Sequence, residues 1–456
     1  GAAAGEGQGM RIARWVGPDG ERSEGFVIDD RVVPFPDGLT VACALNATFT
    51  RSSDPGSAGS WSTNYGLSTG AMIALGNHCR WNGGILNNTS ILGTSATSFT
   101  PATGAKTFTV GAGLNIGASG NFLRFQSAAA GSAHCEGTVT SYSGTSLVMN
   151  ITFAAGSGAH TDWNIFAGAV YQAPMVLHGV TESIVENVRT TGNWYVGLLM
   201  DGWNPAGGGP LTVNYCTFRN CWSENVMNRG FYTYGNCNDN VIDGCTATCG
   251  AGTTDYGFNM NPANATGTAN GQLRNKISNC TAIGPAFQGF EIGDICDYNI
   301  IIGCTAQGLT DASGVGFLIQ LSNTQVPNYN RIIGCIANNC TGIGYQIIGA
   351  SYGGIEGCLA FGCGIGYQIG PSGATQATSI SINNSEANGS TTTGFNIVGN
   401  SSRCDLNGIK AVNNTGTGVN IQTGAVRTLV TGRSFGNGTN LADAGTTSVT
   451  TGLTVL

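Results

Sequence analysis

Charge is the scarcest thing in this chain. Asp, Glu, Lys and Arg make up 9% of 456 residues, well under the usual quarter. Only Lys106, Lys276 and Lys410 are lysines, and the formal net charge is −7. So few cations do not suit a phosphate backbone, so nucleic acid is excluded as a partner. Long apolar runs are missing too. None approaches the ~20 residues that span a bilayer, so no membrane contact is expected. There are four histidines, and none follows His178. That removes a Ser–His–Asp arrangement from the second half of the chain. Amphipathic helical stretches are absent. Gly, Asn, Thr, Ser and β-branched residues dominate, which disfavours helix and favours short strands and turns.

What the chain has is repetition. From about Val185 to Leu456 one phrase returns about ten times. Clear copies are VIDGCTATCG from Val241, KISNCTAIG from Lys276, IIIGCTAQG from Ile301, RIIGCIANN from Arg331 and GIEGCLAFG from Gly354. The phase marker runs Val188, Cys216, Cys245, Cys280, Cys304, Cys335, Cys358, Ser385, Ile409 and Arg433, at spacings of 23 to 35 residues. A fixed coil with inserted loops is the sense of a floor with additions. Each copy also carries Gly-aromatic, as in GFN at 257, GFE at 289, GFL at 316 and GYQ at 344 and 366, most often followed by a polar residue. Period-2 alternation turns the ring inward and the polar residue outward. Asn240, Asn275, Asn299 and Asn330 precede the marker by five residues, in positions suited to left-handed turns and to stacked amide bonds.

These features predict an all-β fold: a right-handed parallel β-helix of about ten coils, roughly 48 Å long at strand spacing, preceded by small β modules. The second cysteine column is Cys221, Cys249, Cys340 and Cys363. A solenoid turns such thiols inward as small apolar fillers, so neither a metal nor a cofactor is expected.

The expected divisions are 1–45, 46–95, 96–170, 171–436 and 437–456. The first nine residues read as a leader. Residues 10–45 resemble the small N-terminal domain of fumarylacetoacetate-hydrolase-like enzymes, but that family's metal-binding carboxylates have no counterpart downstream. NATFTRSS, from Asn46, resembles a phrase near the start of phage tail-fibre proteins. The stretch 96–168 holds TGAKTFTV, EGTVTSYSGTSLVMNIT and a closing DWNI. It resembles a small sandwich or barrel module of bacteriophage tail proteins. SYSGTSLVMNITF reads as a hairpin turning at Ser143-Gly144-Thr145. His134 and His160 read as loop histidines. The last 20 residues, 437–456, read as a cap or an exchanged strand.

A β-helix offers flat outward ladders suited to extended polymers. The outward position after Gly-aromatic gives Leu199, Tyr232, Asn259, Glu291, Leu318, Gln346, Gln368, Asn396 and Asn420. Two residues on come Asp201, Tyr234, Asn261, Gly293 and Gln320. With Trp194, Tyr195, Trp203 and Trp222 in the early coils, the set fits a sugar chain: rings for apolar sugar faces, amides for hydroxyls. The expected binding residues are Trp194, Trp203, Tyr232, Tyr234, Asn259, Asn261 and Gln320. Glycoside hydrolysis needs two carboxyls. Glu291 and Asp294, in FEIGDICD, are the nearest outward pair, with Asp201 and Asp255 as further candidates. A lyase would instead use a base with Arg229 or Arg274.

Taken together, the chain resembles a bacteriophage tailspike or tail-fibre protein with a pectin-lyase-like β-helix. That resemblance implies a homotrimer on the virion tail, outside the cell. It implies host surface polysaccharide as partner, other tail proteins bound through the N-terminal region, and depolymerisation by hydrolysis more than by elimination. The alternatives are a non-hydrolytic adhesin and a structural filament, because fold does not fix function.

Overall fold

The structure is a computed structural model. It describes residues 71–88, 91–114, 122–130, 133–167, 173–192, 194, 196–202, 211–226, 228–248, 256–262, 271–285, 287–321 and 325–456, and the backbone of five strands between residues 11 and 51. Among the described residues every regular element is a strand. Successive coils of a right-handed parallel β-helix stack into ladders.

Measured by the length of its strands, the longest ladder holds 13 parallel strands, from Val33–Phe35 through Ala71–Leu75 and Ala173–His178 to Thr439–Asp443. Two ladders of shorter strands follow in each coil. Val241–Asp243 and Thr246–Thr248 are one such pair. A fourth ladder is only two residues wide, as at Cys296–Asp297. The tube therefore starts earlier than the expected boundary at 171. Ala71–Leu75, Arg80–Asn82 and Ile85–Asn88 already make a coil, and Ala173–His178 pairs directly on Ala71–Leu75. Thr439–Asp443 and Val449–Val455 likewise continue two ladders, so the last 20 residues are one more coil.

Between the coil at 71–88 and the coil that begins at Ala173 the chain makes an excursion. It forms a six-stranded antiparallel sheet from Gly93–Ser95 to Trp163–Ala167. The expected hairpin is there: His134–Ser143 pairs with Ser146–Ala155, and Gly144 has φ 58°. Phe108, Phe125 and Trp163 fill its own core.

The interior of the tube explains the repeated phrase. Phe231, Phe258, Phe290, Phe317, Tyr345, Tyr367 and Phe395 form one continuous stack, with centroids 4.6 to 4.9 Å apart and planes within 8°. Each buried ring contributes roughly 1.5–3 kcal/mol by transfer from water. The glycine before each ring has a different cause. A Cβ on Gly257, Gly289, Gly316, Gly344 or Gly366 would lie 2.5 to 2.7 Å from the carbonyl oxygen of the equivalent glycine one coil on. Backbones approach there as only glycine permits.

Every described cysteine is buried, and the thiols line the interior as expected. Their register needs one correction. The column runs Cys221, Cys245, Cys280, Cys304, Cys335, Cys358, each backbone N–H donating to the next Sγ at 3.3 to 3.4 Å. Ser385 continues it, accepting from Cys358 at 3.2 Å. Cys216 belongs instead to the asparagine column, where its N–H donates to Asn240 Oδ1 at 2.9 Å. Cys340 and Cys363 sit in a separate corner, and Cys249 lies outside the described residues. The buried corner N–H needs an acceptor, and a thiol is a small one. Asn240, Asn275, Asn299 and Asn330 do the same work, N–H to Oδ1 at 2.8 to 3.0 Å. The left-handed residues are the ones just before them: Asp239, Arg274, Tyr298 and Tyr329, with φ 56 to 58°.

Candidate functional site

The outer face of the longest ladder carries the polar residues that the repeat turns outward. Its register sets Leu199, Tyr232, Asn259, Glu291 and Leu318 side by side. A second column holds His178, Asp201, Tyr234 and Asn261, with Gly293 and Gln320 further on. A third holds Val196, Arg229, Tyr256, Gln288 and Val315. The first two are the columns expected from the Gly-aromatic phrase.

Their burial is the surprise. Tyr232, Asn259 and Glu291 are 2, 2 and 1% exposed. Val176, Leu199 and Tyr232 belong to an apolar cluster separate from the main core, with Tyr234 against it. This wall is covered in its early coils, whereas Gln346 and Gln368 further along are only half-buried.

Glu291 is the centre of a hydrogen-bonded row. Asn259 Nδ2 donates to its Oε2 from one side. Gln320 Nε2 donates to Oε1 at 2.5 Å from the other. Arg229 reaches Asn259 Oδ1 at 3.4 Å and also donates to Asn228. Its guanidinium lies 4.5 Å from the Tyr232 ring centroid and 4.8 Å from that of Tyr256, a cation between two π-faces. Burial pushes the Glu291 carboxyl up to about 7. The Gln320 bond and the Arg229 charge oppose that rise, and the Asp294 charge adds to it. Asp294 is itself only 4% exposed. A Cβ on Gly293 would sit 3.3 Å from Asn261 Nδ2 and 3.5 Å from Glu291 Oε1, so its absence leaves a notch beside the carboxyl.

The structure thus brings Glu291, Asp294, Asn259, Asn261 and Gln320 together, with Tyr232 and Tyr234 along the same wall. Asp201 is three coil steps from Gly293, roughly 14 Å at strand spacing. It is fully buried, and its Oδ2 accepts from His178 Nδ1–H at 3.1 Å. Trp194 is not on the wall. It lies in the tube interior, fully buried, with its indole N–H on the Leu86 carbonyl at 3.2 Å. The repeat there places an aromatic just ahead of the strand, where the tube closes over it. Trp222 lies on another face, 41% exposed. Trp203, Tyr195 and Asp255 lie outside the described residues. Arg274, on a corner, is held by Asp239 through two bonds of 2.7 Å. Gln288 and Tyr256 were missed; they stand in register with Arg229, and that shared offset was the available signal.

No protein-family model matches the chain. No curated protein matches it either. Solved structures do. The Dettilon tailspike protein (gp208) superposes with a TM-score of 0.50 at 12% identity, over 93% of this chain and 61% of that one. The fold is the parallel β-helix of that protein. Tailspike protein 3 of bacteriophage CBA120 gives 0.48 at 11% identity, over 92% of this chain and 56% of that one. The A-module of the Azotobacter vinelandii mannuronan C-5 epimerase AlgE4 gives 0.47 at 10% identity, over 87% and 91%. The chain spans about three fifths of the length of these two tailspikes.

Proposed function

We propose that this chain is a tailspike-like glycan-binding β-helix that cleaves its polymer by glycoside hydrolysis, with Glu291 as the proton donor. The observation that carries the reading is a carboxyl on the outer wall, buried and lifted to about 7, and gripped by Asn259 and Gln320. A carboxylic acid that is still protonated near neutral pH is what a glycosidic leaving group requires. Glu291 gives its proton to the glycosidic oxygen as the bond to the anomeric carbon breaks. Asp294, the neighbouring carboxylate, either draws a proton from water that adds to that carbon or attacks the carbon itself. Asn261, Gln320 and the tyrosines hold sugar hydroxyls and apolar faces.

The reading extends to setting. The substrate is host surface polysaccharide, the location is a phage tail outside the cell, and the working unit is a homotrimer joined to other tail proteins through its N-terminal region. The similarity to tailspikes supports each of these by fold alone.

Glu291 is 1% exposed, so in this conformation its carboxyl is out of a polymer's reach. That same burial favours the second reading, a glycan binder without hydrolysis. Release of reducing ends from surface polysaccharide separates the two. Hydrolysis predicts release by the native chain, and loss of it in Glu291→Gln with binding retained. Equal release by that variant removes Glu291 from the reaction, and saturable binding without product decides for the binder. An unsaturated sugar end in the product would mean elimination.

A further inference from the structure

Gln288 is 3% exposed, and its Oε1 is buried with no hydrogen-bond partner. Such an atom costs about 1–3 kcal/mol of desolvation that nothing in the fold offsets. It stands in register between Tyr256 and Val315, one coil beyond Tyr256 and two beyond Arg229, on the wall that holds Glu291. Along its own strand it precedes Glu291 by three residues, roughly 10 Å at strand rise.

Charge on the wall narrows what that unit is. Among the described residues of the three columns, Arg229 and His178 are the only basic side chains, and both are engaged. Arg229 donates to Asn228 and Asn259 between two tyrosine rings. His178 is paired with Asp201. Asp201 is already paired with His178 and Glu291 keeps its proton toward neutral pH, so an anionic sugar would find no cation to spare and would meet the charge of Asp294. Beyond Glu291 the wall becomes amide: Gln320, Gln346, Gln368, Asn396, Asn420 and Gln422, linked in part by side-chain hydrogen bonds of 3.0 to 3.5 Å.

We infer that Gln288 is a glycan-binding residue whose Oε1 accepts from a hydroxyl or amide N–H, and that the polymer on this wall is neutral. This rests on the glycan reading but not on hydrolysis, so binding tests it and cleavage does not. The full chain carrying Glu291→Gln is titrated against a neutral set (dextran, galactomannan, neutral bacterial O-polysaccharides) and an acidic set (alginate, polygalacturonate, hyaluronate). The expected result is saturable binding to a member of the neutral set alone. Adding Gln288→Met should weaken that binding roughly 2- to 10-fold, the range of one lost hydrogen bond. The same change should raise the thermal midpoint, because it removes a buried unpartnered acceptor. Equal or tighter binding to the acidic set, or unchanged affinity in Gln288→Met, would overturn the inference, whereas no binding to either set would overturn the glycan reading on which it rests.

Discussion

Gln320 reaches across one coil step to donate its Nε2 to Glu291 Oε1 at 2.5 Å. The acceptor is a carboxyl raised to about 7, chiefly by burial, so the bond steadies an acid that changes charge in the neutral range.

That raised value has a consequence for stability. The folded chain holds a proton between the usual carboxyl value near 4.5 and about 7 that the unfolded chain has released. Stability therefore falls as pH rises through that window, by up to about 3 kcal/mol at its end. Glu291→Gln should remove this slope. Thermal midpoints at pH 5 and pH 8, for both proteins, check it.

The bond itself can be removed. Gln320→Leu takes a donor from the ionised form, so the pH at which activity falls should move upward, not downward. A pH–rate profile on the cleaved polymer reads the direction.

The thiol column should accept oxygen but not carbon. Ser385 already takes the corner N–H that thiols take elsewhere. Cys280→Ser should be mild, whereas Cys280→Val leaves the Cys245 N–H without an acceptor and costs about 1–3 kcal/mol. Burial also pushes the Cys245 and Cys280 thiols up, so neither should react with iodoacetamide until the chain unfolds. Thermal melts and timed alkylation check both.

Two glycines separate strain from collision. Gly334 has φ 58° and open space where a Cβ would go, so Gly334→Ala should cost about 1 kcal/mol of backbone strain. At Gly316 a Cβ would meet the Gly344 carbonyl oxygen at 2.6 Å and Cys340 Sγ at 3.3 Å. Gly316→Ala should therefore be several-fold more damaging, as two melts would show.

The tube was legible in the sequence because its interior is periodic. Cys at the corners, Gly before each ring and the ring itself mark every coil, and the outward columns follow from counting two residues along. The coils at either end were less legible. Ala71–Leu75 pairs with Ala173–His178 across an inserted module, and the corner cysteine of that first coil, Cys79, stands 104 residues before its neighbour in the column, Ser183, far outside the repeat spacing. Cys216 was set one corner too far because thiol and amide do the same job for a buried N–H, so residue type alone does not distinguish the corners. Trp194 was taken as a stacking platform because an aromatic ahead of a strand reads alike whether the tube covers it or not. Gln288 left no sign in its own identity. Its interest lies in an acceptor without a donor, which only three-dimensional contacts reveal.

The most direct measurement is a crystal structure of the Glu291→Gln chain holding oligosaccharides made by the native protein. The account predicts a glycosidic oxygen within hydrogen-bond reach of residue 291, with sugar units along Asn259, Asn261 and Gln320. Sugar seated on another face of the tube, with the long-ladder wall unchanged and still covered, would contradict it.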